Sequence, residues 1–287
     1  MRRGVVAVLV LAAWLGAMAW QARRVFFPAE AQRLALGVRS LPPGVAYYAV
    51  FRDDARAGWA QLEVDTLPSF SGFLVRDRVQ LDLPSLGSAG RSERASEQYL
   101  DASLNLDSMI LVSVLGADTV RTTAVSVGDS IVLLTDGRGR PTGTVAISEP
   151  VTTAAGWRLR LAAGDRAETG ATYQAVVFDP LAGGARRQEI RVLETSSLAF
   201  PDSADTDSIS GIWIPVREDT VRAWRVRTEA GDTALEGWID EDGRLVDGQI
   251  FGGLRVERTA FELAFFTRPG APVLGSQTES GVPEERE

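Results

Sequence analysis

The segment VRAWRVRTEAGDTALEGWIDEDGRLVDGQIF, residues 221–251, leaves the chain little freedom of fold class. Over Val221–Thr228 the side chains alternate. Trp224 and Val226 point one way, Arg225 and Arg227 the other, which is the two-residue period of a half-buried strand. A polar turn at Glu229–Asp232 leads into a second strand through Leu235, Gly237 and Ile239. The run Asp240-Glu241-Asp242-Gly243 then signals a tight turn, because glycine accepts the positive φ that such turns need. A third strand follows over Leu245–Phe251. Three strands joined this way form a β-meander, and this one carries no catalytic constellation.

The same pattern recurs through the chain. Val45–Phe51, Gly58–Val64, Phe73–Leu83, Tyr99–Leu106, Met109–Leu115, Thr119–Val127, Ser130–Leu134, Thr144–Ile147, Thr172–Phe178, Arg187–Leu193 and Gly211–Val216 all read as strands. In the third of these, Phe73, Val75, Val79, Leu81 and Leu83 keep an approximate two-residue spacing. Alternation of that length favours an antiparallel sheet with one wet face. Pro215 points to an edge position, since proline cannot donate to a ladder. Gly87–Glu97 and Pro201–Ser208 read as polar loops. Thr152–Ala163 is ambiguous. Trp157, Leu159 and Leu161 alternate like a strand, but the alanines and the threonines after Pro150 favour a helix. Leu263–Phe266 closes the apolar content, and Pro269–Glu287 has the composition of a disordered tail.

The N-terminus is of another kind. Arg2-Arg3 precedes an apolar run from Gly4 to Ala22, broken only by Gln21 and close to the roughly 20 residues that a bilayer-spanning helix requires. It reads as a signal anchor; as a signal peptide cleaved after Ala19, where Ala17-Met18-Ala19 has the small-x-small pattern; or as a buried soluble helix. Arg23 and Arg24 on the far side blunt the charge asymmetry that would fix its orientation. Ala29–Val38 fits a short spacer helix, ended by Pro42-Pro43-Gly44.

Three absences exclude whole classes of chemistry. The 287 residues contain no Cys, no His and no Lys, so all 30 basic residues are arginine. There is no thiol nucleophile or thiolate zinc site, no ordinary Ser-His-Asp triad, and no Schiff-base lysine or Walker phosphate loop. The net charge of −8 argues against a nucleic-acid binder, which neutralises phosphates with basic residues. Gly137, Gly139 and Gly143 lie in TDGRGRPTG, but a strand-like run follows them where a nucleotide loop needs a helix N-terminus, so they belong to a hairpin loop. Asp202, Asp205 and Asp207 lack the spacing of a calcium loop. Glycoside hydrolysis needs only two carboxylates, and among 38 acidic residues no pair stands out.

Three stretches resemble a known module. YYAVFRDDARAGWAQLEVDT (Tyr47–Thr66), VVFDPL (Val176–Leu181) and ALEGWIDEDGRLV (Ala234–Val246) are similar to the β-rich extension that precedes the transglutaminase-like domain of a group of bacterial membrane-anchored proteins. The likeness spans most of residues 45–258. It implies a curved antiparallel sheet standing without a catalytic domain, because that domain's Cys-His-Asp constellation has no counterpart in a chain without Cys or His.

The expected architecture is mainly β: an N-terminal transmembrane helix followed by a curved antiparallel sheet, half-barrel or sandwich, of about a dozen strands with one or two short helices. Its segments are a signal anchor or signal peptide (1–24), a juxtamembrane spacer (25–44), a β ectodomain (45–268) and a tail (269–287). The expected role is non-enzymatic, as a binding or scaffold protein of the bacterial cell envelope. The N-terminal segment would lie in the inner membrane and the β domain on the periplasmic side, exported and soluble if the signal is cleaved. No cofactor, metal or nucleic acid is expected. The candidate partners are an apolar ligand or another envelope protein. Trp59, Trp157, Trp213, Trp224 and Trp238 are the candidates for lining a ligand groove, against the alternative that they are core aromatics. Two further readings stay open: a structural partner of an envelope enzyme through an exposed sheet edge, and a carboxylate-only hydrolase of envelope glycans.

Overall fold

The computed structural model describes residues 41–82, 90–135, 141–164, 167–230, 233–250 and 252–266. The N-terminal apolar segment, the spacer helix over Ala29–Val38 and the tail lie outside them. Among the described residues no helix is long and apolar enough to cross a membrane.

The strands form one sheet in the order β8-β7-β6-β5-β4-β3-β2-β1-β15-β14-β13-β12-β11-β10-β9. It is two meanders joined along a seam. The first runs through β1 (Gly44–Arg52), β2 (Ala55–Thr66), β3 (Gly72–Asp82), β4 (Arg91–Asp101), β5 (Leu106–Leu115), β6 (Asp118–Val127), β7 (Ser130–Thr135) and β8 (Pro141–Ala146). The second takes β9 (Val151–Thr152), β10 (Thr172–Asp179), β11 (Gly184–Thr206), β12 (Trp213–Ala230), β13 (Thr233–Asp240), β14 (Leu245–Ile250) and β15 (Leu254–Thr259). The seam is the antiparallel pair β1–β15, with Tyr48 opposite Arg258 and Val50 opposite Val256. Only β9–β10 is parallel, and the helix α1 (Ala154–Ala163) lies in its crossover. A second helix, α2 (Phe261–Phe266), follows β15.

Short connections drive this order. Asp53 and Asp54 both take positive φ, 50° and 61°, which makes the β1–β2 link a two-residue turn whose twist matches its strands. The sheet then curls. At Gly58 a methyl group would stand 1.9 Å from the carbonyl oxygen of Gln80, so β2 and β3 approach more closely there than any side chain permits. The β1–β2 register shifts between Val50 and Phe51, beside this point. A bulge with a glycine is a standard way to bend a sheet.

The curled sheet closes on α1. Ala155, Leu159 and Ala163, at i, i+4 and i+8, join the core with Val50, Leu62, Val64, Val75, Leu100, Ile131 and Val256. Trp157 and Leu161, one stripe over, pack with Val177, Ile190, Val192, Trp224, Val226 and Ile239. The strand-like alternation of Trp157, Leu159 and Leu161 is therefore a helix buried on two sides, as the alanine-rich reading expects. Thr153 caps it by accepting from the Gly156 N–H at 3.1 Å. Thr152 Oγ1 donates to Leu104 O at 2.6 Å, and Arg160 donates to Ser103 O and Asn105 Oδ1, which fastens α1 to the β4–β5 turn. The two ends of the sheet meet by packing: Leu133, Val145 and Ile147 share a cluster with Val176, Phe178 and Ala185.

Three expectations are corrected. The described part of the expected loop over Gly87–Glu97 is strand: Arg91–Asp101 is β4, paired on both sides. Its alternate residues Ser92, Arg94, Ser96 and Gln98 face the inner side with Asp77; Ser96 and Gln98 are buried there and Arg94 is half-exposed. The expected single strand Tyr99–Leu106 is broken by a turn in which Asp101 accepts from the Ser103 and Asn105 N–H groups and Leu104 takes φ 62°. Pro201–Thr206, expected as loop, ends β11, and Asp207 organises the turn after it.

That part of β11 belongs to an arm. β10 pairs with β11 only over Gly184–Arg191, and β13 with β12 only over Ala223–Ala230. Beyond those residues the two long strands pair only with each other, so Pro215, opposite Ala204, has its free edge as expected. The arm folds over α2, where Trp213 stacks on Phe266 with centroids 5.5 Å apart. Arg56 holds α2 to β2 by donating to Ala264 O at 2.6 Å and to Gly58 O.

The β13–β14 turn is where the meander meets α1. Gly243 has φ 78°, and a methyl there would lie 2.9 Å from Leu159 Cα and 3.0 Å from Arg158 O. Gly252 has φ 80° but open space around it. Both substitutions to alanine should cost the left-handed strain of roughly 1 kcal/mol, and Gly243→Ala at least about 2 kcal/mol more, because the turn must back away from the helix. Urea unfolding of the two variants side by side measures the difference.

Candidate functional site

The register places one polar patch on the inner wall. Across β1–β2–β3–β4–β5 one interior row reads Ala46, Leu62, Asp77, Ser96, Leu111, and the next reads Tyr48, Ala60, Val79, Arg94, Ser113. Asp77 is thus a carboxylate on an otherwise apolar stretch of β3. Ser96 Oγ donates to its Oδ2, as does Gln98 Nε2 at 2.7 Å, and Arg94 pairs with its Oδ1 at 3.7 Å. From the opposite side α1 contributes Arg158, whose charge acts on both Tyr48 and Asp77.

A second set of charges closes one end. Asp240 is buried at 2% exposure. It accepts from the Asp242 and Arg244 N–H groups through Oδ1 and from Arg258 through Oδ2 at 2.6 Å. The tight turn expected over Asp240–Gly243 is present, with the Gly243 N–H donating to Asp240 O at 3.0 Å. The turn folds inward onto α1, and burial raises the Asp240 pKa, opposed by the Arg244 N–H and the Arg258 charge. Arg244 reaches Asp242 at 3.3 Å and Pro42 O at 3.1 Å. Arg258 lies 4.1 Å from the centroid of the Phe200 ring, a cation–π contact at the base of the arm.

The cluster is incompletely satisfied. Tyr48 Oη, Asp77 Oδ1, Arg94 Nε, Gln98 Oε1, Arg158 Nε and Arg244 Nε are shut off from solvent without a hydrogen-bond partner. Isolated orphans of this kind are uncommon, since each costs about 1–3 kcal/mol. Six of the seven such atoms among the described residues belong to this set. Arg158 is the extreme case. It lies deep in the protein yet keeps part of its surface accessible. Desolvation lowers its pKa, and Tyr48 and Asp77 offset this only in part.

The wall around the cluster is apolar and not fully covered. Val79, Leu81, Leu133, Val145, Ile147, Leu245 and Ile250 pack against the main core, but each is only partly buried. Leu115 and Val120, on the same face where β5 meets β6, are 47% and 52% exposed. The interior thus combines a polar, hydrogen-bond-poor centre with half-covered aliphatic walls, the composition of a small-molecule site.

The five tryptophans do not share one groove. Trp157 and Trp224 face each other's cluster inside the sheet, where Trp224 Nε1 has no partner. Trp59 sits on the outer face against Phe265 at 4.3 Å, Trp213 on the arm against Phe266, and Trp238 beside Phe200, Ala223 and Val246. The interior residues escaped the sequence reading because a lone Asp, a Tyr and two Arg on different elements have no common spacing. The one available signal was Asp77, a charge on the apolar side of an alternating strand. On the outer face, a depression of about 220 Å³ is bordered by Arg225, Glu236, Trp238, Asp247 and Arg255. Its charges satisfy one another, Arg225 with Glu236 at 2.7 Å and Arg255 with Asp247 at 2.9 Å, so it leaves nothing for a ligand to answer.

With this geometry in view, the chain has a fold of the class of curled, mainly antiparallel sheets, here filled by a helix, and a solved structure shares the fold. It is similar to a β-barrel-like protein of the domain of unknown function DUF1849 from Brucella abortus, at 14% identity and a TM-score of 0.50, over 76% of this chain and 96% of that one. It also matches a DUF1089 family protein from Pseudomonas aeruginosa at 9% identity and a TM-score of 0.38, over 72% and 91% of the two chains. The first likeness concerns the fold alone. No family model matches the chain, and no curated protein does.

Tyr48 offers a direct test of the interior. Burial pushes its hydroxyl pKa from 10 up to about 12, against the nearby charges of Arg158, Arg258 and Arg244 and with that of Asp240. The folded protein holds this proton more tightly than the unfolded chain. Its stabilisation is complete below pH 10 and is lost as pH rises through about 12, a change of about 2–3 kcal/mol. Tyr48→Phe should leave stability at pH 7 within about 1 kcal/mol, because it removes an unpartnered hydroxyl, and should flatten that alkaline limb. Denaturant titrations of both proteins from pH 8 to 12 report it.

Proposed function

We propose that the protein is a non-enzymatic binding protein whose curled sheet holds a small amphiphilic molecule. The observation that carries this is the interior itself: six orphan polar atoms inside aliphatic walls that remain partly uncovered. A chain with a merely structural interior has reason to fill both with side chains. The barrel-like fold supports the reading as a scaffold that encloses ligands, by analogy only. Each interior carboxylate is held by its own arginine, Asp77 by Arg94 and Asp240 by Arg258. Both carboxylates are thus already engaged, which argues against a carboxylate-only hydrolase. The apolar segment from Gly4 to Ala22 supports placement at the bacterial inner membrane with the sheet on the periplasmic side.

The reading as a partner of another envelope protein has the arm in its favour. Ile209 is 95% exposed, Ile212 53% and Val216 59%, on a ribbon with two unpaired edges.

Native mass spectrometry of the full chain, gently extracted from the producing cells, decides between them. The expected spectrum shows an added mass in the range of a small amphiphile, and Val79→Trp, which fills the inner wall, loses most of it. A bare polypeptide mass for the wild type would count against interior binding, and crosslinking through the arm would then be the property to pursue.

A further inference from the structure

The interior charges do not balance. Four arginines, Arg94, Arg158, Arg244 and Arg258, face three carboxylates, Asp77, Asp240 and Asp242. Three are paired: Arg94 with Asp77 at 3.7 Å, Arg244 with Asp242 at 3.3 Å and Arg258 with Asp240 at 2.6 Å. Arg158 has no carboxylate in ion-pair range and donates no hydrogen bond to a described residue, and its Nε is sealed from water. The cluster therefore holds one positive charge in excess inside a chain whose net charge is −8. A guanidinium left this way is costly to keep, because it loses much of its hydration and meets only the more distant charges of Asp77 and Tyr48.

From this geometry we infer that Arg158 is the headgroup site for a singly charged anionic amphiphile, a carboxylate or phosphodiester on an aliphatic chain. This deepens the binding reading above and rests on it. One anion restores neutrality. The planar guanidinium suits a paired-oxygen acceptor, and arginine stays charged at any physiological pH. The unpartnered Tyr48 hydroxyl, within electrostatic reach of Arg158, adds a donor of the right polarity. Asp77 does not repel the ligand on balance, because Ser96, Gln98 and Arg94 already hold its charge. The chain of the amphiphile follows the partly covered aliphatic wall, with Val79 and Leu81 on β3, and Leu133, Val145 and Ile147 on and just after β7 and β8. A neutral lipid would fill that wall and leave Arg158 bare.

The test uses the full chain in membranes of its producing cells, with two photoreactive probes of equal length, diazirine palmitic acid and the corresponding diazirine alcohol. Labelled peptides are mapped by mass spectrometry. The expected result is labelling of the β3, β7 and β8 peptides by the acid, with an efficiency roughly tenfold to a hundredfold above that of the alcohol, as befits a charge-assisted contact. Arg158→Met should abolish that excess and leave the alcohol signal unchanged. The same variant should melt no lower than wild type without probe, since it removes an unpaired buried charge, an effect that a purely structural arginine would reverse. Competition by a phosphodiester-headed lysolipid or by a plain fatty acid identifies which source supplies the anion. Equal labelling of the inner wall by acid and alcohol in the wild type overturns the headgroup assignment while leaving interior binding intact, and it does so whether or not the variant folds. Labelling of the inner wall by neither probe overturns both.

Discussion

The structure depends on α1 lying inside the curl of its own sheet. A fifteen-stranded antiparallel sheet has an inner face that cannot all be left wet, and it bends too strongly here to pack against a second sheet. The helix solves this with two stripes. Ala155, Leu159 and Ala163 serve the first meander, and Trp157 and Leu161 the second. Burying each of the larger side chains contributes about 2 kcal/mol. The helix also sets the distances. The β4–β5 turn is fastened to its start, and the β13–β14 turn rests on its backbone at Arg158 and Leu159. Two meanders that share only the β1–β15 seam are thereby held to one geometry.

That same helix brings Arg158 into the interior, which explains why the polar cluster exists where it does. A residue on the third face of a ten-residue helix already buried on two sides is turned toward the inner wall and only partly reaches solvent. The apolar alternatives at such a position would leave the hydrogen bonds among Asp77, Ser96 and Gln98 and the pairing with Arg94 in place. The guanidinium is thus an addition that stability does not require. Buried groups that cost stability and serve no packing purpose are characteristic of binding sites.

Much of the fold was legible in the sequence because a two-residue period survives any tertiary arrangement. The meander of residues 221–251, the hairpin at Asp53-Asp54 and the helix over Ala154–Ala163 all follow from local pattern. The errors cluster where local pattern and environment part company. Arg91–Asp101 resembles a loop because it is polar on both faces, one side facing solvent and the other the polar cluster. Pro201–Thr206 resembles a loop because an arm that stands free of the sheet needs no apolar face. The tryptophans were a poor guide to the site for a related reason. Aromatic area is useful wherever elements meet, and three of the five serve the outer face, α2 or the arm.

The sequence by itself determined most of the strands, the meander of residues 221–251 and the absence of thiol, imidazole and amine chemistry, and it favoured the buried helix. Each of these rests on residues close together in the chain, or on composition. Only the tertiary structure decided that β1 pairs with β15 across some two hundred residues, that the sheet curls around α1, and that Tyr48, Asp77, Arg94 and Arg158 share one interior. Those outcomes depend on curvature accumulated over many strands and on which turns meet the helix. No local spacing records either, and the site is made of residues whose only relation is that the curled sheet brings them together.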